Sequence, residues 1–371
     1  MKKTAIFLAT LFLFALLPLR SQAAPSVSAR SAVLIDADTG RILYEQDAHT
    51  RRGMASTTKI MTALVALENA ALDTVVSVDP RACGVEGSSV YLYENEKITV
   101  ETLLYALMLQ SANDAAAALA YEIAGSIDAF ADMMNERADT LGLTATHFEN
   151  PHGLDGETHY TTAYELALIA AEALENETFA KIVATEKKAV PLHNGTATRL
   201  LVNHNRLLRE YDDIIGVKTG FTKKCGRTLV SAAERDGVRL ICVTLNDGND
   251  WQDHRALLDY GFSLYGETQL AEIGAYSYTV AVCGGTSDQV KVSNTEALSL
   301  MLPQTHGEIT SVIELPRFLY AGFQKGDAIG RVVFYADGER LGEVVLYAES
   351  GVAVQKEEKS FWRKIFPFLS K

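Results

Sequence analysis

The chain is short of positive charge. Its 371 residues carry 34 Lys and Arg against 47 Asp and Glu, a formal net charge of −13. That balance excludes the basic footprint of a general nucleic-acid binder. Cysteine is scarce as well, with four residues, Cys83, Cys225, Cys242 and Cys283. Their spacings match no zinc motif, and a chain of this size needs no covalent staples. Three pairings are open to an exported protein, but free, mostly buried thiols are the expectation. No H-E-x-x-H segment sets two metal ligands on one helical face. Glycine (26) and proline (8) show no collagen-like or low-complexity bias, and no internal repeat is visible. The one long apolar run, residues 5–19, is too short to span a bilayer.

That run has a different meaning. Lys2 and Lys3 precede it, and Ser21-Gln22-Ala23 follows with small residues where a signal peptidase reads. Residues 1–23 are therefore expected to be a secretory signal peptide cut after Ala23. Cleavage removes Lys2, Lys3 and Arg20 and leaves a net charge of −16. The rest of the chain is rich enough in apolar residues (48% overall) to bury a real core in two or three domains.

Residues 32–36 and 41–44, either side of Ala37-Asp38-Thr39-Gly40, read as a hairpin. Ile60, Leu64 and Leu67 give residues 55–70 a helical stripe. Helices are expected again over 100–109, 114–124, 127–141 and 161–176, with Asn113 or Asp114 capping the second of these. From residue 214 the pattern turns to strand, over 214–221, 228–233 and 238–245, with Asp236-Gly237 turning the last pair. A helix over 253–264 follows. The early hairpin and the late strands can share one sheet, with helices on its faces. Residues 267–352 hold only short strands broken by Gly284-Gly285, Lys325-Gly326-Asp327 and Asp337-Gly338, which reads as a small β-domain.

Three short motifs occur in order: Ser56-Thr57-Thr58-Lys59, Ser111-Ala112-Asn113 and Lys218-Thr219-Gly220. Each alone is weak; the ordered set in these contexts is strong. At the start of a helix, residues i and i+3 share a face, so the Lys59 amine can reach the Ser56 hydroxyl. A lysine at its ordinary pKa is neutral in only ~1 molecule in 2,500 at pH 7. A useful base therefore needs burial or a second cation nearby, and Lys218 is the candidate cation. Ser111 can relay protons, and the Asn113 amide can hold Lys59 or a substrate amide. A strand through Lys218, Thr219 and Gly220 offers backbone to an extended peptide and two donors to a carboxylate, with Gly220 allowing close approach. The backbone N–H groups of Ser56 and Phe221 would then form an oxyanion hole.

S-x-x-K, S-x-N and K-T-G are the signature of penicillin-binding proteins and serine β-lactamases. The surroundings narrow the likeness: Asp114-Ala115-Ala116 after the second motif, then Phe148-Glu149-Asn150-Pro151-His152-Gly153-Leu154-Asp155, His159-Tyr160-Thr161-Thr162-Ala163 and Gly216-Val217 before the third. Over about residues 28–350 the chain resembles the low-molecular-mass D-alanyl-D-alanine carboxypeptidases of the penicillin-binding protein 5 or DacF type. The resemblance implies an α/β transpeptidase-like domain over 24–266, a β-domain over 267–352 and an amphipathic tail over 353–371. It makes Ser56 the acylated nucleophile and Lys59 its base. Ser111, Asn113 and Lys218 complete the site, and Thr219, Gly220 and Phe221 lie along the substrate. The implied substrates are peptidoglycan stem peptides, with β-lactams as covalent inhibitors, no metal or organic cofactor and no nucleic acid. His147, His152, Asp155 and His159 invite a metal reading, but in the resembled family this stretch is wall.

The likeness has a gap. Family members often carry an arginine after the late strands that helps bind the substrate's terminal carboxylate; here that region reads Trp251-Gln252-Asp253-His254-Arg255. His254, Arg255 and, further back, Arg206 are the candidates. Two other readings stand beside the carboxypeptidase: a serine β-lactamase, for which no E-x-x-L-N segment is found, and a catalytically silent wall-binding protein. Finally, residues 356–371 carry five basic and two acidic residues, with Phe361, Trp362, Ile365, Phe366, Phe368 and Leu369 at roughly helical spacing. That composition suits a helix lying in an anionic membrane surface and would hold the exported enzyme at the outer face of the cytoplasmic membrane.

Overall fold

The computed structural model describes residues 23–192 and 197–356. Nearly all of the expected signal peptide, and the tail from residue 357, lie outside the described residues. The chain divides into two compact units between Ser263 and Leu264, three residues before the boundary read from the sequence.

The first unit opens with β1 (Ser31–Asp36) and β2 (Ile42–Gln46). After a 3₁₀ turn, Ala55–Thr58, comes α1 (Lys59–Asn69). A small ribbon of β3 (Val75–Ser77) and β4 (Lys97–Thr99) leads to α2 (Val100–Leu109), α3 (Asn113–Ala124) and α4 (Ile127–Thr140). Then follow α5 (Ala163–Leu174), α6 (Glu177–Val183), a hairpin of β5 (Lys187–Leu192) and β6 (Ala197–Val202), and the single turn α7 (Leu207–Glu210). The unit ends with β7 (Ile214–Thr222), β8 (Gly226–Arg235), β9 (Val238–Leu245) and α8 (Asp250–Ser263).

The early hairpin and the late strands do form one antiparallel sheet, in the order β2-β1-β9-β8-β7. Strand alternation sets its two faces. Val33 and Ile35 of β1 join the core shared with the helices, together with Val217, Val230, Ile241 and Val243. Leu34 points the other way, onto α8, where a Cβ on Gly261 would stand 2.5 Å from its Cδ2. Asp236 and Gly237 both have positive φ (50° and 80°), the geometry of the tight hairpin turn that their sequence signals.

Helix starts follow side-chain capping: Thr99, Ser126, Thr162 and Asn176 each accept a backbone N–H of the first turn of their helix. The start of α3 differs from expectation. Ala112 is its N-cap residue and offers no side chain, because Asn113 and Asp114 are used elsewhere. Asp114 is fully buried and takes hydrogen bonds from Ser89 Oγ (2.6 Å), Leu92 N (3.0 Å) and Val90 N (3.2 Å), tying the 88–92 loop over the helix start.

The second unit has a two-stranded pair, β10 (Tyr265–Ala271) with β13 (Leu298–Pro303). Its main sheet holds β11 (Ser277–Cys283), β12 (Gln289–Asn294), β14 (Ile309–Glu314), β15 (Phe318–Tyr320), β16 (Ala328–Ala336) and β17 (Glu339–Ala348). The strand order is β14-β16-β17-β12-β11-β15. Val280, Val290, Val292, Val332, Phe334 and Leu346 make its core. All four cysteines are free, Cys225 and Cys242 buried and Cys283 exposed.

Candidate active site

The 3₁₀ turn Ala55–Thr58 presents Ser56 at the head of α1, and the next residue, Lys59, is completely buried. Lys59 Nζ lies 3.1 Å from Ser56 Oγ and donates to Asn113 Oδ1 (2.7 Å) and to the His152 carbonyl. Asn113 is fixed in turn: its Nδ2 donates to Glu86 O (2.5 Å) and its backbone N to Ser88 O (2.7 Å). Burial first, then the charge of Lys218, push the Lys59 pKa well below the ordinary lysine value, against a smaller upward pull from Asp114. Lys218 is buried too, and burial lowers its pKa to about 7. Its Nζ donates to Thr219 O (2.8 Å) beneath the cleft wall.

The geometry accommodates the neutral amine that the reaction needs. A neutral amine has two N–H bonds and one lone pair. Asn113 Oδ1 and the His152 carbonyl can only accept, so they take the two N–H bonds. The lone pair is left for Ser56 Oγ–H.

A cavity of about 490 Å³ opens in front of Ser56, lined by Ser88, Ser111, His204, Thr219, Gly220, Phe221, Arg227, Thr228, Asp250 and Trp251. Thus Ser56, Ser111, Thr219, Gly220 and Phe221 meet at one cleft, with Lys59, Asn113 and Lys218 behind it. Ser111 sits on a left-handed backbone (φ 58°), as does Ala55 (φ 47°), conformations that non-glycine residues hold at a cost and that cluster at functional sites. Gly220 is constrained by space. A Cβ there would stand 2.4 Å from Thr228 Oγ1 and 2.9 Å from Ser56 N. Thr228 Oγ1 is itself bonded to Met54 O (3.1 Å) and cannot yield freely. Gly220→Ala is therefore expected to push Ser56 N out of place and slow acylation by at least about tenfold. Stopped-flow acylation rates, read beside the thermal midpoint, check this.

The arginine expected after the late strands requires correction. His254 is fully buried, held between Ser231 Oγ and Thr244 Oγ1, and Arg255 is bound to Asp213 and Asp259. Neither lines the cleft. Arg227 does: it pairs through Nε and Nη2 with the two carboxylate oxygens of Asp250 (2.9 and 2.7 Å). Two guanidinium groups lie near the Trp251 ring, that of Arg206 at 5.2 Å and that of Arg227 at 5.5 Å. The sequence reading missed Arg227, Trp251 and His204, although β7 pairs with β8 so that Phe221 faces Arg227. The four residues of the metal reading have other work. His159 bonds Thr58, His147 Nδ1 bonds Thr158 O, Asp155 accepts from Thr222, and His152 Nδ1 accepts from Leu154 N (3.3 Å).

The profile of peptidase family S11, D-alanyl-D-alanine carboxypeptidase, matches residues 19–249. The chain belongs to the D-alanyl-D-alanine carboxypeptidase family. The C-terminal domain of penicillin-binding protein 5 matches residues 265–354, most of the second unit. D-alanyl-D-alanine carboxypeptidase DacF of Bacillus subtilis is 33% identical over 344 residues, covering 89% of this chain and 86% of that one. The DacA carboxypeptidase of Escherichia coli K12 is 31% identical over 363 residues, covering 93% and 88%. Penicillin-binding protein 5 of Haemophilus influenzae superposes with a TM-score of 0.63 at 28% identity, covering 89% of this chain and 99% of that one. In this family the chain is a serine-type carboxypeptidase, a penicillin-binding hydrolase of the cell wall.

Proposed function

We propose that the enzyme removes the terminal D-alanine from peptidoglycan stem pentapeptides through an acyl-enzyme on Ser56. The observation that carries this is the Lys59 amine, buried and held on two fixed acceptors with its remaining valence at Ser56 Oγ. Neutral Lys59 takes the Ser56 proton as Oγ adds to the penultimate D-alanine carbonyl. The oxyanion settles on the backbone N–H groups of Ser56 and Phe221. Collapse breaks the peptide bond; the proton passes, through Ser111, to the departing D-alanine amine. Water then adds to the ester, gives a proton to Lys59, and Oγ recovers it as the tetrapeptide leaves. A β-lactam acylates Ser56 by the same first step, with its opened ring retained. Lys218, when protonated, supplies positive charge near Lys59, and Thr219 and Arg227, which line the cleft, take the substrate carboxylate.

The membrane reading rests on composition. Among the described residues no helix is long and apolar enough to cross a membrane. The tail brings basic residues worth ~1 kcal/mol each at an anionic surface, and burying large apolar side chains adds at most ~1.5–3 kcal/mol apiece. Together these support peripheral attachment. One experiment tests both parts. Residues 24–371 and a chain ending at Val354 are assayed for D-alanine release from a D-Ala-D-Ala peptide and for sedimentation with anionic liposomes. Both are expected to release D-alanine, and only the longer to sediment. Rapid penicillin turnover instead would favour a β-lactamase, and absence of any penicillin adduct a silent binder. Equal sedimentation of the two chains would remove the tail as anchor.

A further inference from the structure

Behind the nucleophile turn runs a chain of hydrogen bonds whose direction is fixed at both ends. Glu149 N–H can only donate, and it meets His159 Nδ1 at 3.0 Å. Nδ1 is therefore the bare nitrogen, and Nε2 carries the proton. Nε2 lies 2.7 Å from Thr58 Oγ1, whose own proton goes to Ala55 O at 2.8 Å. The far end is a carbonyl and can only accept. One arrangement satisfies every atom: Glu149 N–H to His159, His159 Nε2–H to Thr58, Thr58 O–H to Ala55 O. The imidazole is neutral throughout, in keeping with a pKa that burial lowers to about 4.

Ala55 O belongs to the peptide plane that carries the Ser56 N–H, one of the two proposed oxyanion donors. In a trans peptide the C=O and N–H point opposite ways. Holding the carbonyl inward aims the N–H outward, and a donor on the carbonyl polarises the amide and strengthens its N–H as a donor. The rest of the turn leaves that plane little freedom. Ala55 is left-handed, its N–H meets the Cys225 sulfur, and a Cβ on Gly153 would overlap Ala55 O at 2.0 Å.

We propose that His159 and Thr58 are positioning residues that orient and polarise the Ala55–Ser56 peptide, so that the Ser56 N–H stabilises the oxyanion. This rests on Ser56 being the acylated serine. Removing an oxyanion donor outright costs ~10²–10³ in rate, so loosening one is expected to cost ~10-fold or more.

The test uses the full mature chain. Saturating penicillin gives the fraction of competent sites, the approach to saturation gives the acylation rate per site, and peptide turnover gives kcat and KM. Wild type must first form its adduct on Ser56; failure there sinks the acyl-enzyme reading and leaves no basis for this one. Thr58→Val removes the relay hydroxyl at constant shape. His159→Asn keeps an acceptor for Glu149 N–H but no donor for Thr58, whereas His159→Gln keeps the donor. Thr58→Val and His159→Asn are each expected to slow acylation per competent site ~10-fold or more and to lower kcat, with KM within about twofold. The double variant should be no slower than the worse single one, since both cut one chain. Thr58→Ser and His159→Gln should recover to within about threefold of wild type. A purely structural role predicts fewer competent sites and a lower thermal midpoint, with each surviving site acylating at the wild-type rate. That result overturns the proposal.

Discussion

Ser56→Ala is expected to abolish both penicillin labelling and D-alanine release while leaving the fold intact. Loss of a nucleophile in a serine hydrolase costs ~10⁶ in turnover, because the remaining groups have nothing to activate. The fold should survive for a local reason. Ser56 Oγ meets Lys59 Nζ at 3.1 Å, and Lys59 keeps Asn113 and the His152 carbonyl when that contact goes. Nor does the Ser56 side chain cap α1, whose start has no side-chain cap at all. The cost in stability is then one part-buried hydrogen bond, about 1 kcal/mol. Mass spectrometry of the penicillin-treated wild type should place the adduct on Ser56, which is the only serine with a lysine three residues on. An adduct on Ser111, or a Ser56→Ala protein that still labels, would remove the nucleophile from Ser56.

The sheet was legible because its cues are local. Residues 32–36 and 238–245 are short, largely apolar runs buried on both faces, and Asp236-Gly237 has the turn chemistry that a tight hairpin demands. The motif residues were legible because helix and strand spacing alone bring Ser56 to Lys59 and place Thr219 beside Gly220. What stayed hidden depends on long-range contact. The His152 carbonyl that receives Lys59 is a backbone atom and carries no residue signature. Arg227 reaches the cleft only through the pairing of β7 with β8, and Trp251 only through the placement of α8. His254 and Arg255 look available in the sequence, yet fold inward or onto aspartates. The β5–β6 hairpin was missed because Lys187, Lys188 and Pro191 suit a central strand poorly; it is a separate two-stranded ribbon, where proline is tolerated. Asn113 and Asp114 looked like caps because their residue types favour that role. Burial gives them other partners: Lys59 for one, the 88–92 loop for the other.

The two buried lysines should fail differently, and pH separates their roles. Lys59→Arg keeps a cation but has no accessible neutral form, so acylation should fall by at least ~10³-fold. Because a larger group must enter a fully buried slot, Lys59→Met, with no charge to bury, serves as the folding control and should be equally inactive. Lys218→Arg preserves positive charge beside the site and should retain more activity than either. Lys218→Met removes it. The charge of Lys218 helps hold the Lys59 pKa down, second only to burial. Without that charge Lys59 gains protons more readily, so its pKa rises toward the ordinary lysine value. The acylating form is neutral Lys59, so the acid limb of the acylation rate against pH should move to higher pH in Lys218→Met. It should stay near the wild-type position in Lys218→Arg. Rates at high pH, where Lys59 is neutral in the wild type and in both Lys218 variants, separate this effect from any loss of substrate binding. Equal losses in Lys59→Arg and Lys218→Arg would mean that the base is misassigned. An acid limb that does not move in Lys218→Met would leave burial alone as the cause of the neutral Lys59.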